Sequence, residues 1–194
     1  MIASLVGLLA LAAPFPGQPA PEFLEPTAAG INVNLDVYKG KTVVLEWTNH
    51  GCPFVQKHYG ADNMQKLQKR ANAEGIVWLQ VISSAPGKQG YVSPEEANTL
   101  NDERGAVVSH VLLDEDGSMG QAYAAKTTPH MFIIDPEGIV RYNGAIDTIP
   151  TADPADIPNA QNYVMTALEQ LKAGQDVVTS VSRPYGCSVK YADS

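Results

Sequence analysis

One feature constrains this sequence most: an apolar strand that runs into a Gly-Cys-Pro turn. The segment "KGKTVVLEWTN" contains a compact run, Thr42 to Trp47, rich in β-branched residues, which is typical of a buried strand. Cys52 and Pro53 follow, and proline suits the first turn of a helix. Apolar residues then recur at mostly helical spacing as far as Ala73, which predicts one helix. The pattern therefore predicts a strand–turn–helix unit with Cys52 at the helix N terminus.

The rest of the chain continues this alternation of strands and helices. Further apolar strands are expected at "IVWLQVISS", "HVLLDEDG", "HMFIIDPEG" and "IVRYNGAI". Helices are expected after Ser93 and Pro94, which suit the N-cap and first helical positions, at "SMGQAYAA" and at "AQNYVMTALEQLKAG". The order β-α-β-α-β-β-α, with one inserted helical segment, predicts an α/β fold around a mixed central sheet.

Charge and cysteine content exclude several classes of function. The 194-residue chain carries a net charge of −8 and has no basic run, so nucleic-acid binding is not expected. Two cysteines, Cys52 and Cys187, form neither a disulfide-dense scaffold nor a four-ligand zinc site by themselves. They suffice for one disulfide bridge, or for one nucleophile with one partner.

The N terminus resembles an exported protein's leader. The apolar run from Ile2 to Ala13 is too short to span a bilayer, and Ala10 and Ala12 have the spacing of a small-x-small cleavage site. No Lys or Arg precedes the run, so a misassigned start or a buried N-terminal segment is the alternative. We expect residues 1–19 to form this segment with its Pro-rich linker, residues 20–174 one domain, and residues 175–194 a tail that carries Cys187.

Cys52 has the features of a reactive thiol. A helix N terminus favours negative charge and lowers a thiol pKa, which prepares the thiolate to attack a peroxide oxygen or a disulfide sulfur. Gly51 and Pro53 indicate a sharp, exposed turn. The alternative is a small buried hydrophobic residue. Lys57 and His58 lie in the first helical turns and are interpreted as solvated.

A second motif, "TTPHMFIID", places Pro129 directly before an apolar strand. Proline cannot donate to a sheet ladder, so it is expected at the start of that strand. Taken alone, this proline also fits an ordinary turn with a trans peptide bond.

Together, "VVLEWTNHGCPF" and "TPHMFIIDPEGIVRYNGAI" resemble the thioredoxin superfamily, and within it the redoxin branch of alkyl hydroperoxide reductase and thiol-specific antioxidant proteins, over about Ala20 to Ala173. The resemblance implies a thioredoxin-like fold, a cis peptide bond before Pro129 opposite Cys52, and a Thr128 backbone that meets the substrate. It also implies redox chemistry without a cofactor, in which an external thiol is the reductant. The tail "PYGCSVKY" resembles that of uncharacterised, often exported bacterial proteins that also carry "GCPFVQKHY".

Departures from the family patterns leave the reaction open. Val55 stands where a Cys-x-x-Cys motif has its second cysteine, so dithiol exchange within that motif is impossible. Leu45 and Asn49 stand where peroxiredoxins have Pro and Thr or Ser, and Thr48 is displaced by one residue. We expect Thr48, Asn49, Thr128 and Pro129 to form the substrate-binding part of the site.

Cys187 has three candidate roles: a resolving cysteine, half of a structural disulfide, or a free thiol. A sulfenic acid on Cys52 would condense with a nearby thiol, and the tail would reach Cys52 of its own chain or of a partner in a homodimer. The first role is preferred, which gives a thiol peroxidase that acts on a hydroperoxide.

Two alternatives remain at the level of the sequence. One is a monothiol reductase or isomerase that acts on protein disulfides. The other is a copper-binding module built from Cys52, His50 and His130, since thiolate and imidazole suit soft metals.

Overall fold

The computed structural model describes residues 14–192 and confirms the thioredoxin-like α/β fold. The strands are β1 (Leu24–Pro26), β2 (Asn32–Asn34), β3 (Val43–Trp47), β4 (Val77–Ile82), β5 (His110–Leu113), β6 (Thr127–Thr128), β7 (His130–Ile134), β8 (Val140–Gly144) and β9 (Cys187–Ser188). The α-helices are α1 (Pro53–Gly60), α2 (Asn63–Ala73), α3 (Pro94–Glu103), α4 (Ser118–Ala122) and α5 (Tyr163–Lys172). Two 3-10 helices, Leu35–Tyr38 and Pro154–Asn159, complete the chain.

The central sheet is mixed, with strand order β5-β4-β3-β7-β8. β3 pairs parallel with β4 and antiparallel with β7, so it lies at the centre. Every residue of β3 is buried, which explains why its sequence is an apolar run interrupted only by Glu46 rather than an alternating pattern. Apolar clusters cover both faces of the sheet, and Cys52 belongs to the cluster that contains α1, α2 and α5.

The single helix expected from Pro53 to Ala73 is wrong: two helices, α1 and α2, replace it. Between them Asp62 adopts a left-handed conformation, with φ of 56°. Aspartate tolerates this region better than most residues. The apolar spacing continues across the break because both helices pack on the same sheet face, and for this reason the periodicity did not reveal it.

The helix boundaries that depended on caps agree with the sequence. The Ser93 side chain accepts a hydrogen bond from the backbone of Glu96, whose carboxylate accepts one from the Ser93 backbone, forming a capping box before α3. Asn162 caps α5 with a single hydrogen bond, which its side chain accepts from the Met165 N–H.

Both terminal segments of the described residues 14–192 lie against the domain. In the Pro-rich segment, Gly17 and Ala20 donate backbone hydrogen bonds to Val140 and Gly138. The tail runs back across the sheet, and β9 pairs antiparallel with β6. The apolar run expected to be a leader, residues 2–13, lies outside the described residues. Within residues 14–192, no helix is both long and apolar enough to cross a membrane.

Candidate active site

Cys52 is the N-cap residue of α1, as predicted. Its backbone N–H donates to the Asn49 carbonyl at 3.0 Å, and its own carbonyl accepts from Val55 and Gln56, so the turn between β3 and α1 is closed by backbone bonds. Pro53 occupies the first helical position, where a missing N–H costs nothing. The thiol thus lies beside the free N–H groups of a helix N terminus.

The second motif meets this turn from the neighbouring strand. The Thr128–Pro129 peptide bond is cis, as the resemblance implied, and Pro129 lies between β6 and β7. The Cys52 thiol donates a hydrogen bond to the Thr128 carbonyl, with the sulfur 3.1 Å from the oxygen. Cys52 and the backbone of Thr128 are therefore in direct contact.

Cys187 joins the same site from the C-terminal tail of the same chain. In the β6–β9 ladder Cys187 is directly opposite Thr128, and Ser188 is opposite Thr127. Cys187 packs against the apolar cluster that contains Cys52, and each thiol shifts the pKa of the other. Both cysteines are free thiols in this structure.

The two thiols have opposite acidities. Burial raises the pKa of Cys52, but the nearby side chains of Cys187 and Thr128 and the backbone N–H groups of Cys187 and Val55 outweigh it, so that the pKa lies below its usual value. Burial, the hydrogen bond to Cys52 and the charge of the Cys52 thiolate raise the pKa of Cys187 to about 11. Cys52 therefore ionises first, and a thiolate is the nucleophilic form.

The turn is exposed at His50 and Pro53, as expected, but Cys52 itself is fully buried. The turn itself has the predicted shape, but the tail covers it: Tyr185 and Cys187 pack on the apolar cluster around Cys52. The tail was expected to bring Cys187 near Cys52, but the burial of Cys52 beneath it was not expected.

Thr48 and Asn49, expected to bind substrate, have different environments. The Thr48 hydroxyl is buried and has no hydrogen-bond partner among the described residues. Asn49 instead holds the loop after β4: its amide nitrogen donates to the Gln89 side chain and backbone at 2.9 and 3.2 Å, and its oxygen accepts from Gly51. Asn49 thus fixes the shape of the turn.

The histidines of the copper alternative do not converge on Cys52. The Nδ1 of His130 accepts a bond from the Lys126 backbone, and its Nε2 lies 2.8 Å from the Asn143 oxygen. Both ring nitrogens are therefore engaged, and burial lowers the pKa of His130 to about 4. His50 is exposed. In the described part of the chain, no group of three His, Cys, Asp or Glu side chains is arranged to hold a metal ion.

Beside the cysteines lies a buried polar cluster that includes two residues expected to be solvated. Lys57 and His58 are buried on α1 and face Asp147, at 3.8 and 3.9 Å respectively. The Tyr185 hydroxyl donates to Asp147, and its ring packs edge-on against Phe54. Burial lowers the pKa of His58 to about 4, so this imidazole is neutral near pH 7. Through Tyr185, the cluster anchors the tail two residues before Cys187.

Glu46, at the centre of β3, was missed by the sequence analysis. It is fully buried and accepts hydrogen bonds from the Tyr59 hydroxyl, the Gln68 amide and the Trp78 indole. Burial raises its pKa, and the nearby Arg104 charge opposes this. A carboxylate inside the run "VVLEW" was the available signal, because a charged residue in a buried strand requires a specific set of partners.

Solved structures of similar fold include several thiol–disulfide enzymes. A hypothetical protein from Sinorhizobium meliloti 1021 is 22% identical, with a TM-score of 0.81, 94% of this chain and 98% of the other being covered. An uncharacterized conserved protein from Geobacillus kaustophilus is 25% identical, with a TM-score of 0.77 over 92% and 93% of the two chains. The thioredoxin domain of a thiol-disulfide oxidoreductase from Bacteroides vulgatus is 21% identical, with a TM-score of 0.52 over 66% and 86%.

No curated protein matches the chain, but a family model does. The AhpC/TSA family model matches residues 16–143, a range that contains β3, the Cys52 turn, the cis proline and β8. Family and fold together support a thioredoxin-like oxidoreductase. On the strength of this match, the chain belongs to the AhpC/TSA family, a redoxin branch of the thioredoxin superfamily.

Proposed function

We propose that this protein is a two-cysteine thiol peroxidase, in which Cys52 attacks a hydroperoxide and Cys187 resolves the product. The observation that carries the proposal is the position of Cys187: it is opposite Thr128 in the β6–β9 ladder, and the Thr128 carbonyl accepts the Cys52 thiol. A resolving thiol must reach the oxidised sulfur, and here both cysteines lie against the same residue, Thr128.

The first step oxidises Cys52. Its thiolate attacks one oxygen of the hydroperoxide, the O–O bond breaks, and the leaving alkoxide takes a proton to become an alcohol or water. Cys52 becomes a sulfenic acid, which is two electrons more oxidised. The Cys187 sulfur then displaces the hydroxyl group as water, and a Cys52–Cys187 disulfide forms.

The acidities of the two thiols support this order of events. The thiolate of Cys52 is one cause of the raised pKa of Cys187. A sulfenic acid on Cys52 is neutral, so its formation removes that repulsion and lowers the pKa of Cys187. Cys187 is therefore a weak nucleophile before the first step and a better one when it is needed.

Reduction requires an external thiol, which we expect to attack Cys187. Cys187 is partly exposed, whereas Cys52 is fully buried. Attack on Cys187 also releases the more acidic thiolate, that of Cys52, and more acidic thiols leave faster. A second external thiol frees Cys187, so two reducing thiols are oxidised to one disulfide per cycle. No cofactor takes part in these steps.

The test is to treat the fully reduced protein with one equivalent of hydrogen peroxide and map its disulfides by mass spectrometry. We expect rapid loss of both free thiols and a Cys52–Cys187 peptide. The control is the same peroxide solution without protein. The proposal would be overturned if Cys52 stayed reduced and the peroxide concentration matched that of the control.

The second candidate is a monothiol reductase or isomerase of protein disulfides. It is favoured by the side chains around Cys52, because Leu45 and Asn49 replace the peroxiredoxin motif and Asn49 bonds to Gln89 instead of facing the sulfur. Such an enzyme would form mixed disulfides through Cys52 and would not respond to peroxide.

The proposed cycle needs one chain only, because the resolving thiol comes from the same chain as Cys52; a homodimer is not required for it. Export is proposed from the apolar run at residues 2–13 alone. It would be tested by comparing the N terminus of the mature protein from its native host with Met1.

A further inference from the structure

The C-terminal segment from Ser182 to Tyr191, called the strap here, is fastened to the domain along its length. Its contacts are Ser182 to the Ala145 backbone, Tyr185 to Asp147, Cys187 and Ser188 to β6, Val189 to Lys126, Lys190 to Ala85, and Tyr191 to Ala125. Two of these contacts, at β6 and at Lys126, occupy the backbone of the segment that leads into the cis proline. The strap is thus a covering strand rather than a loose tail.

The centre of the strap is fitted closely to Thr128. Gly186 has φ of +134°, which side-chain-bearing residues rarely adopt, and a Cβ there would overlap the Thr128 carbonyl oxygen. That carbonyl also accepts the Cys52 thiol. Only a segment without a side chain at this point can lie so close to Thr128, and this close approach lets Cys187 pair with Thr128 beside Cys52.

An extended polypeptide that pairs with the Thr128 backbone needs the edge that β9 already fills. To bring a cysteine of another protein to Cys52, the whole β6–β9 ladder must open. A hydroperoxide has few atoms and needs only a small displacement at the Cys187 side chain. The two classes of oxidant therefore meet very different barriers.

We propose that the strap is a specificity element, which confines Cys52 to small oxidants by occupying the backbone edge that an extended polypeptide would need. This role of the strap rests on the proposed function: it specifies small hydroperoxides as the substrates of the same site. It also explains why the reducing thiol is expected at Cys187, on the outer side of the strap.

The test measures thiol–disulfide exchange without peroxide, so it can fail independently of the peroxidase proposal. The full chain carrying Cys187→Ser has Cys52 as its sole thiol and keeps the strap. Two probes are used, cysteamine and a short extended cysteine peptide, each joined to thionitrobenzoate by a disulfide. The Cys52 thiolate attacks the alkyl sulfur, the S–S bond breaks, and coloured thionitrobenzoate leaves with the electron pair. Reduced glutathione gives the ratio of the two rates for an uncovered thiol.

We expect the peptide-to-cysteamine rate ratio of the strapped protein to lie at least about tenfold below that of glutathione. Adding Gly186→Ala, which lifts the strap from Thr128, should raise the ratio by about tenfold or more. The matched control is Gly174→Ala, a glycine with φ of +68° and nothing within 4 Å of its Cβ position; it should leave the ratio unchanged. Circular dichroism establishes that each variant is folded, and Tyr185→Ala replaces Gly186→Ala if that variant is not.

Three results would overturn the proposal. The first is a ratio for the strapped protein less than about tenfold below that of glutathione. The second is a Gly186→Ala variant in which both rates rise equally, because the strap would then hinder every reagent alike. The third is a released variant that reacts with neither probe, because something other than the strap would then close Cys52.

Discussion

Cys52 and Cys187 meet at one point, but two very different parts of the chain hold them. Cys52 is fixed by β3, α1 and the cis proline, all within the central fold. Cys187 is carried by a strap that contains little regular structure and depends on Gly186, Tyr185 and two residues of β9. Burial raises the pKa of both thiols, but the groups around Cys52, Cys187 among them, bring its pKa below the usual value, whereas the neighbouring Cys52 raises that of Cys187 further. Two identical side chains therefore acquire separate roles from the rigidity of the segments that hold them and from the charges around them.

Substitution of either cysteine should have the largest effect on activity, and a different effect for each. Cys52→Ser removes the nucleophile and should lower peroxide consumption by at least about 100-fold. Cys187→Ser should leave the first step intact but prevent the disulfide, so a sulfenic acid persists on Cys52. Trapping with dimedone, followed by mass spectrometry, distinguishes the two variants. Equal loss of the first step in both would contradict the division of roles.

Removal of the hydrogen bond from Tyr185 to Asp147, which anchors the strap, should have the next largest effect. Tyr185→Phe keeps the ring against Phe54 but removes the hydroxyl that donates to Asp147. Because Asp147 is buried, we expect a loss of about 1–3 kcal/mol in the free energy of unfolding, measured by denaturant titration.

The matched control for this substitution is Tyr91→Phe, which removes a hydroxyl from an exposed bond to Glu115. It should change stability by no more than about 0.5 kcal/mol. Equal effects of the two substitutions would mean that Asp147 does not hold the strap.

His58 should make the anchored region sensitive to acid. Its pKa is lowered from 6.5 to about 4 in the folded protein, so the folded state keeps it neutral where the unfolded state takes up a proton. Its contribution to stability is complete above pH 6.5 and is lost as the pH falls toward 4, at up to about 1.4 kcal/mol per pH unit. Unfolding free energies of the native protein and His58→Gln, compared across that range, should diverge in slope. Parallel slopes would exclude the depressed pKa.

The central fold could be predicted from the sequence because its signals are local. β3 is an apolar run interrupted only by Glu46, α3 begins at Pro94 after the Ser93 cap, and Pro129 precedes β7. The position of Cys52 follows from these elements. The approach of Cys187 to Cys52 was among the expectations, but the contacts that hold the strap could not be predicted, because they join Tyr185 to Asp147 and Cys187 to Thr128 across long separations and no periodic pattern marks them. The burial of Lys57 and His58 was missed for the same reason: their partners lie on the loop and the tail that cover α1.

The smallest expected effect is a change in the pKa of Cys52 when Cys187 is replaced. Burial raises the pKa of Cys52, and the side chain of Cys187 is one of the donors that lower it. Cys187→Ala removes that donor and should raise the pKa of Cys52, whereas Cys187→Ser supplies a hydroxyl donor and should raise it less. Thiolate absorbance in the ultraviolet, followed as a function of pH, measures both variants with Cys52 as the sole thiol. If the two variants titrate together, then the backbone N–H groups of Val55 and Cys187 suffice, and the strap acts on Cys52 through its main chain alone.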